Sequence, residues 1–198
     1  MVEVRWADVL AIPNIITLLR LLLLPLFLYL LFGREDRLAA AIVLGSMGAT
    51  DWIDGWVARK FDMVTDLGKL LDPVADRIML ITAVVALIID NAIPRWVGLL
   101  ALVREAVVAA IALIIGALGA RRFDVTFIGK TGAFLMMFAF PLFCAGASTA
   151  VVADVAWVLG WAFAIPGLAI SYWSAVGYFP LARDALVEGR AARIEELP

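Results

Sequence analysis

The chain has 198 residues, 65% of them hydrophobic, and a mean hydropathy of +1.02, which argues against a soluble domain and for a polytopic membrane protein. One cysteine, Cys144, excludes an internal disulfide, and the absence of histidine removes the commonest zinc ligand. The net charge of -2 says little about partners, because in a bilayer the position of charge matters more than its sum; no nucleic-acid partner is expected.

Residues Val2 to Leu10 mix Glu3, Arg5 and Asp8 with Val4, Trp6, Val9 and Leu10, which suits a short helix in the headgroup layer before Pro13 breaks it. Acidic residues and the lack of a small-residue cleavage pattern there argue against a removable signal peptide. A first span runs from Ile15 to Phe32, interrupted by Arg20 and Pro25. An arginine inside a span faces the bundle or a wet cavity, so Arg20 is expected to look toward a polar site. After GREDR, the second span covers Leu38 to Arg59, with Ala41, Gly45, Gly48 and Ala49 permitting close packing.

A charged link through Lys60, Asp62, Asp66 and Lys69 follows, and Thr65 or Asp66 can cap the next helix. The third span carries Asp72, Asp76 and Arg77 at its start and ends at Asp90, forming a hairpin with the second. Val97 to Leu118 makes the fourth span, with Arg104 and Glu105 inside it, and Ile128 to about Cys144 the fifth. The tract AGASTAVVAD leads into a sixth span from Trp157 to about Phe179, where Pro166 should introduce a kink. The expected fold is all-α, a single domain over 1–198 with about six transmembrane helices and an N-terminal interfacial helix.

Basic residues set the orientation. Arg5, the Arg59-to-Arg77 link, the Arg121-to-Lys130 connection and the tail fall on one side, against Arg34, Arg37 and Arg95 on the other. The positive-inside rule places both termini and the Arg59-to-Arg77 link in the cytoplasm, at a bacterial-type inner membrane.

That link belongs to the stretch DWIDGWVARKFDMVTDLGKLLDPVADR, residues 51–77. Asp51 and Asp54 are three residues apart and Asp72 and Asp76 four, so on helices each pair shares a face. Carboxylates at the edge of hydrocarbon need cations, and an oxygen-only donor set suits Mg²⁺ or Mn²⁺. Gly55 and Ala58 leave room beside the first pair, and Arg59 offers a fork suited to phosphate. Two ions held between the four acids could clamp a diphosphate, while one carboxylate accepts a proton from an attacking hydroxyl. The bland alternative is a capping and salt-bridge cluster with Arg59, Lys69 and Arg77. Gly55 and Gly68 could likewise be packing or turn glycines.

The pattern D-x2-D-G-x2-A-R-x8-G-x3-D-x3-D, met by Asp51, Asp54, Gly55, Ala58, Arg59, Gly68, Asp72 and Asp76, resembles the signature of the CDP-alcohol phosphotransferases. The likeness extends through IPNIITLLR and, more weakly, VREAVV and FIGKTGAF. It implies that Asp51, Asp54 and Asp72 are metal ligands, with Asp76 near the second metal and acting as base. It also implies that Gly55, Arg59 and Thr65 contact the CDP moiety, that Gly68 keeps the link close to it, and that Asn14 and Thr17 line the phosphate end. Relatives are homodimers that work among membrane lipids.

The implied reaction transfers a phosphatidyl group from CDP-diacylglycerol to an alcohol acceptor with release of CMP. IPNIITLLR and DLGKLLDPVADR look like phosphatidylglycerophosphate synthases, which favours glycerol 3-phosphate as acceptor. VTFIGKTGAFLMMFAFP is similar to CMP-forming cardiolipin synthases, which use phosphatidylglycerol; glycerol 3-phosphate is the expected acceptor and phosphatidylglycerol the alternative. Lys130 is the better candidate to grip an anionic acceptor; Arg121 and Arg122 read more readily as membrane anchors, and Arg104 can serve either the bundle or the acceptor. Two other classes are weighed: a membrane prenyltransferase, whose acidic motifs are spaced differently, and a carboxylate-coupled transporter, which should show midplane acids and repeated halves.

Overall fold

The computed structural model describes residues 12–60, 66–117 and 127–195, with side chains placed for 18–50, 75–111 and 128–175. All regular structure among these residues is helical. Helix α1 (Ile12–Leu28) passes into a π-helical turn (Tyr29–Gly33), and is followed by α2 (Arg37–Lys60), α3 (Asp66–Ile89), α4 (Arg95–Ala117), α5 (Phe127–Gly146) and α6 (Ala153–Glu195). Each of the expected spans falls on one of these helices. The expected interfacial helix over Val2 to Leu10 lies outside the described residues.

The helix boundaries follow local chemistry. The Asp36 carboxylate accepts a hydrogen bond from Ala39 N–H at 3.0 Å and so caps α2. Between α3 and α4, Asn91 takes a left-handed φ of 58°, which its short polar side chain tolerates. Asp154 lies in the first turn of α6, where a negative charge complements the helix dipole. That helix runs through Pro166 and well past Phe179, because LARDALVEGRAARIE is rich in strong helix formers.

The helices close into a ring. Helix α1 packs on α2 and α3, α5 on α2 and α6, and α4 on α3 and α6. Among the described residues, α2 and α3 both pack on α1; the ends of α2 and α3 that the expected hairpin would bring together have side chains outside the described set. The tightest seam is α5 with α6, where a Cβ on Gly132 would lie 2.8 Å from Ser171 N and one on Gly146 would lie 2.7 Å from Trp157 N. Only glycine allows that approach. Phe143 fills the seam edge-on to Trp157 and Trp161, at ring separations of 5.1 and 5.2 Å.

Phe27, Leu31, Val84, Leu87, Val97, Phe143 and Cys144 are fully buried and form the centre of the core. At one end an ionic clasp ties three helices together. Arg37 Nε donates to Asp90 Oδ2 at 2.7 Å and Arg37 Nη1 to the Ala147 carbonyl at 3.0 Å. Among the described side chains every helix exposes large apolar residues, such as Leu22, Ile42, Ile89, Val103, Ile128 and Trp173. Among the described residues two segments are long and apolar enough to cross a bilayer, Ile128–Gly146 and Ala153–Ala175. The apolar parts of α1 and α2, Leu18–Gly33 and Arg37–Thr50, are shorter.

Candidate active site

Asp76 stands nearly three turns into α3, with a side chain 45% exposed, and Arg20, on α1, is 97% buried beside it. Arg20 Nη1 donates to Asp76 Oδ1 at 2.9 Å. A guanidinium that deep must be paired, because its charge could not otherwise be carried out of water. The arginine read from the sequence as facing a polar site therefore does so, and its acidic partner is the last carboxylate of the motif.

This pair lies at the polar end of a cavity of about 400 Å³ bounded by α1, α2, α3 and α5. Lys130, exposed on α5, lines the same cavity. The remaining wall is apolar, built from residues such as Met47, Met79, Met137, Phe134 and Phe140. Methionine side chains adapt readily to flexible apolar ligands. Gly48 of α2 also lines this wall, so α2 and α3 both border the cavity.

A second charged group adjoins the first. Arg77 Nε donates to Glu105 Oε1 at 3.1 Å, and Arg104 Nη1 donates to Glu105 Oε2 at 3.0 Å. Arg104 Nη2 reaches the Gly129 carbonyl of α5 at 3.5 Å, a long contact. A smaller cavity, about 220 Å³, is lined by Asp76, Arg77, Leu80 and Glu105. Arg104 is not among the residues lining these two cavities; its contacts run to Glu105 and to α5. The link from Glu105 to Arg77 was not read from the sequence. The available signal was that an acid at that depth needs a cation, and Arg104 next to it on the chain concealed the second one.

Of the other residues singled out, the side chains of Asn14, Thr17, Asp51, Asp54, Gly55, Ala58, Arg59, Gly68 and Asp72 lie outside the described set, and Thr65, Arg121 and Arg122 lie outside the described residues altogether. On the backbone, Asp51 is one turn beyond Gly48 in α2 and Asp72 one turn before Asp76 in α3. No cluster of three potential metal ligands occurs among the described side chains. Asp76 presents a half-exposed carboxylate to the cavity, an oxygen donor of the kind that hard ions take.

Residues 10–166 match the family model for CDP-alcohol phosphatidyltransferases. The chain belongs to this family. It is 37% identical over 181 residues to a CMP-forming cardiolipin synthase of Streptomyces coelicolor, covering 89% of this chain and 84% of the relative. A putative cardiolipin synthase of Mycobacterium tuberculosis is 32% identical, over 86% of this chain and 81% of its own length. A CDP-diacylglycerol–glycerol-3-phosphate 3-phosphatidyltransferase of Bacillus subtilis is 33% identical, over 54% of this chain and 63% of the relative. Family members are enzymes, and the activities named for these relatives belong to phospholipid biosynthesis. Membership in the family answers the two rival classes, prenyltransferase and transporter.

Proposed function

We propose that the chain is an integral membrane enzyme that transfers the phosphatidyl group of CDP-diacylglycerol to the hydroxyl of phosphatidylglycerol, releasing CMP and forming cardiolipin. The observation that carries this reading is the larger cavity: a carboxylate held by a buried arginine and a lysine among otherwise apolar walls. A nucleotide-linked lipid has that same division, with charge at one end and acyl chain at the other.

In this reading Arg20 fixes the Asp76 carboxylate, and Asp76 accepts the proton of the acceptor hydroxyl as its oxygen bonds to the lipid-side phosphorus and the bond to CMP breaks. Lys130 supplies a cation for the phosphates gathered at that end. Asp51, Asp54, Asp72 and Asp76 would hold two Mg²⁺ or Mn²⁺ ions, which supply charge to the diphosphate and stabilise the departing phosphate. Gly55, Ala58, Arg59, Thr65 and Gly68 would receive the CDP moiety, with Asn14 and Thr17 at its phosphate end. Helical spacing supports the convergence, since Asp72 and Asp76 share a face of α3.

A bilayer setting is supported by the exposed apolar side chains on all six helices, which would be costly in water. The bias of basic residues then puts both termini and the site on the cytoplasmic side.

The acceptor rests on coverage. The motif and the N-terminal segment favour glycerol 3-phosphate, but relatives named for that acceptor align over 48–54% of the chain. Those named cardiolipin synthase align over 86–89% and so share its other half as well. Glycerol 3-phosphate remains the second reading, favoured by IPNIITLLR and DLGKLLDPVADR. Purified protein given CDP-diacylglycerol and each acceptor separately, with CMP and lipid product followed by mass spectrometry, decides between them. Cardiolipin with CMP is expected; phosphatidylglycerophosphate alone would reverse the order, and CMP release with neither acceptor would refute the function.

A further inference from the structure

Asp76 lines both cavities, and with Leu80 one turn later it forms the wall between them. A base shared by two compartments can serve a donor in one and an acceptor in the other. Only the larger compartment has an extended apolar wall. The smaller is lined by three charged side chains, Asp76, Arg77 and Glu105, together with Leu80, and at about 220 Å³ it exceeds several times the ~30 Å³ share of one water. It has room for a phosphate group.

Charge in this corner is unbalanced. Two arginines, Arg77 and Arg104, share the single carboxylate of Glu105, one on each oxygen. The cluster therefore carries one positive charge in excess, and it does so beside the proposed base. Arg104 is the fixed member: its side chain is 10% exposed, and it is also directed at the Gly129 carbonyl. Arg77 is the movable one, 39% exposed and held to Glu105 through Nε. If Arg77 turned away, Glu105 would keep Arg104, so no buried acid would be left without a cation.

We propose that the small cavity between α3 and α4 seats the phosphate of the acceptor, with Arg77 as its ligand. Glu105 is a positioning residue: it holds Arg77 at the cavity in the resting enzyme and releases it to the anion while keeping Arg104. The acceptor hydroxyl then reaches Asp76 from the side opposite the donor, and Lys130 is left to the donor's cavity. The ligand chemistry is a glycerol phosphate anion, either the diester of a lipid headgroup or a free monoester. This assignment rests on the phosphatidyl-transfer reading.

The two ideas separate experimentally. CMP release from CDP-diacylglycerol by the wild-type protein, with phosphatidylglycerol or with glycerol 3-phosphate, tests the reading and identifies the source of the phosphate. With the acceptor that works, Arg77→Gln should raise the acceptor KM roughly 10- to 100-fold, as expected for one charge-assisted contact, and leave the KM for CDP-diacylglycerol unchanged. Independently of turnover, inorganic phosphate should raise the melting temperature of the wild-type protein in detergent and lose that effect in Arg77→Gln. Glu105→Asp gives a second handle that does not require Arg77→Gln to fold. Its shorter arm keeps the charge beside Arg104 but loosens Arg77, so the acceptor KM should fall. Equal changes in both substrate KM values, phosphate stabilisation that survives in Arg77→Gln, or an acceptor KM unmoved in Glu105→Asp would each overturn the assignment.

Discussion

Two ion pairs join an arginine from the first part of the chain to an aspartate of α3 or of the turn that follows it, and they differ in what they leave accessible. At the closed end Arg37 meets Asp90 through Nε at 2.7 Å and again through Nη2, while Nη1 is taken by the Ala147 carbonyl. Asp90 is 14% exposed and lines neither cavity. At the other end Arg20 meets Asp76 at 2.9 Å, but here the arginine is the buried partner and the acid is 45% exposed, facing both cavities. A pair that encloses its acid ties helices together; a pair that buries its base and presents its acid holds a reagent ready.

The largest effect that could break this comparison is expected at Asp76. Asp76→Asn keeps the size and a hydrogen-bond acceptor for Arg20 but cannot take a proton, so CMP release should fall by roughly 10²–10⁴-fold with the melting temperature little changed. If the variant turned over at the wild-type rate, Asp76 would be as structural as Asp90.

Exchanging the arginines comes next. Arg20→Gln should reduce the rate by roughly 10- to 100-fold, the worth of one charge-assisted hydrogen bond, because Asp76 loses its holder. Arg37→Gln should leave the rate per folded molecule intact and reduce stability instead. Since Arg37 is 37% exposed, solvent screening discounts that loss to about 1–2 kcal/mol. Thermal denaturation in detergent beside an activity assay reads both variants, and the same phenotype in each would erase the distinction.

The contrast also explains what could be read from the chain alone. Long apolar runs bounded by charged links define helices regardless of how these pack, so all six were legible. The order of the ring was not: no local signal in the chain says that α1 is a common neighbour of α2 and α3 or that α5 joins α2 to α6. Arg20 was legible as facing a polar site, since a buried guanidinium must find an acid. Its particular partner, 56 residues away, follows only from the packing of α1 on α3. The contact of Glu105 with Arg77, 28 residues apart, was hidden for the same reason. The extension of α6 to Glu195 was missed because the eye stops at the last apolar residue, while helix propensity does not.

The smallest effect is expected at Cys144, next to the closed clasp. Its thiol donates to the Arg37 carbonyl at 3.3 Å and the residue is fully buried, so sulfur acts there as a small apolar filler with a weak donor. Cys144→Ala removes one heavy atom from a close-packed site and should cost about 1 kcal/mol, with no change in CMP release or in either substrate KM. The native thiol also reports on the clasp. Reaction with a thiol reagent requires the α5 end to open, so the labelling rate should follow local unfolding and rise in Arg37→Gln but not in Arg20→Gln. Labelling that accelerates equally in both variants would mean that the two ends of the ring open together, and the division between a holding pair and a working pair would then lie in chemistry alone, not in mechanics.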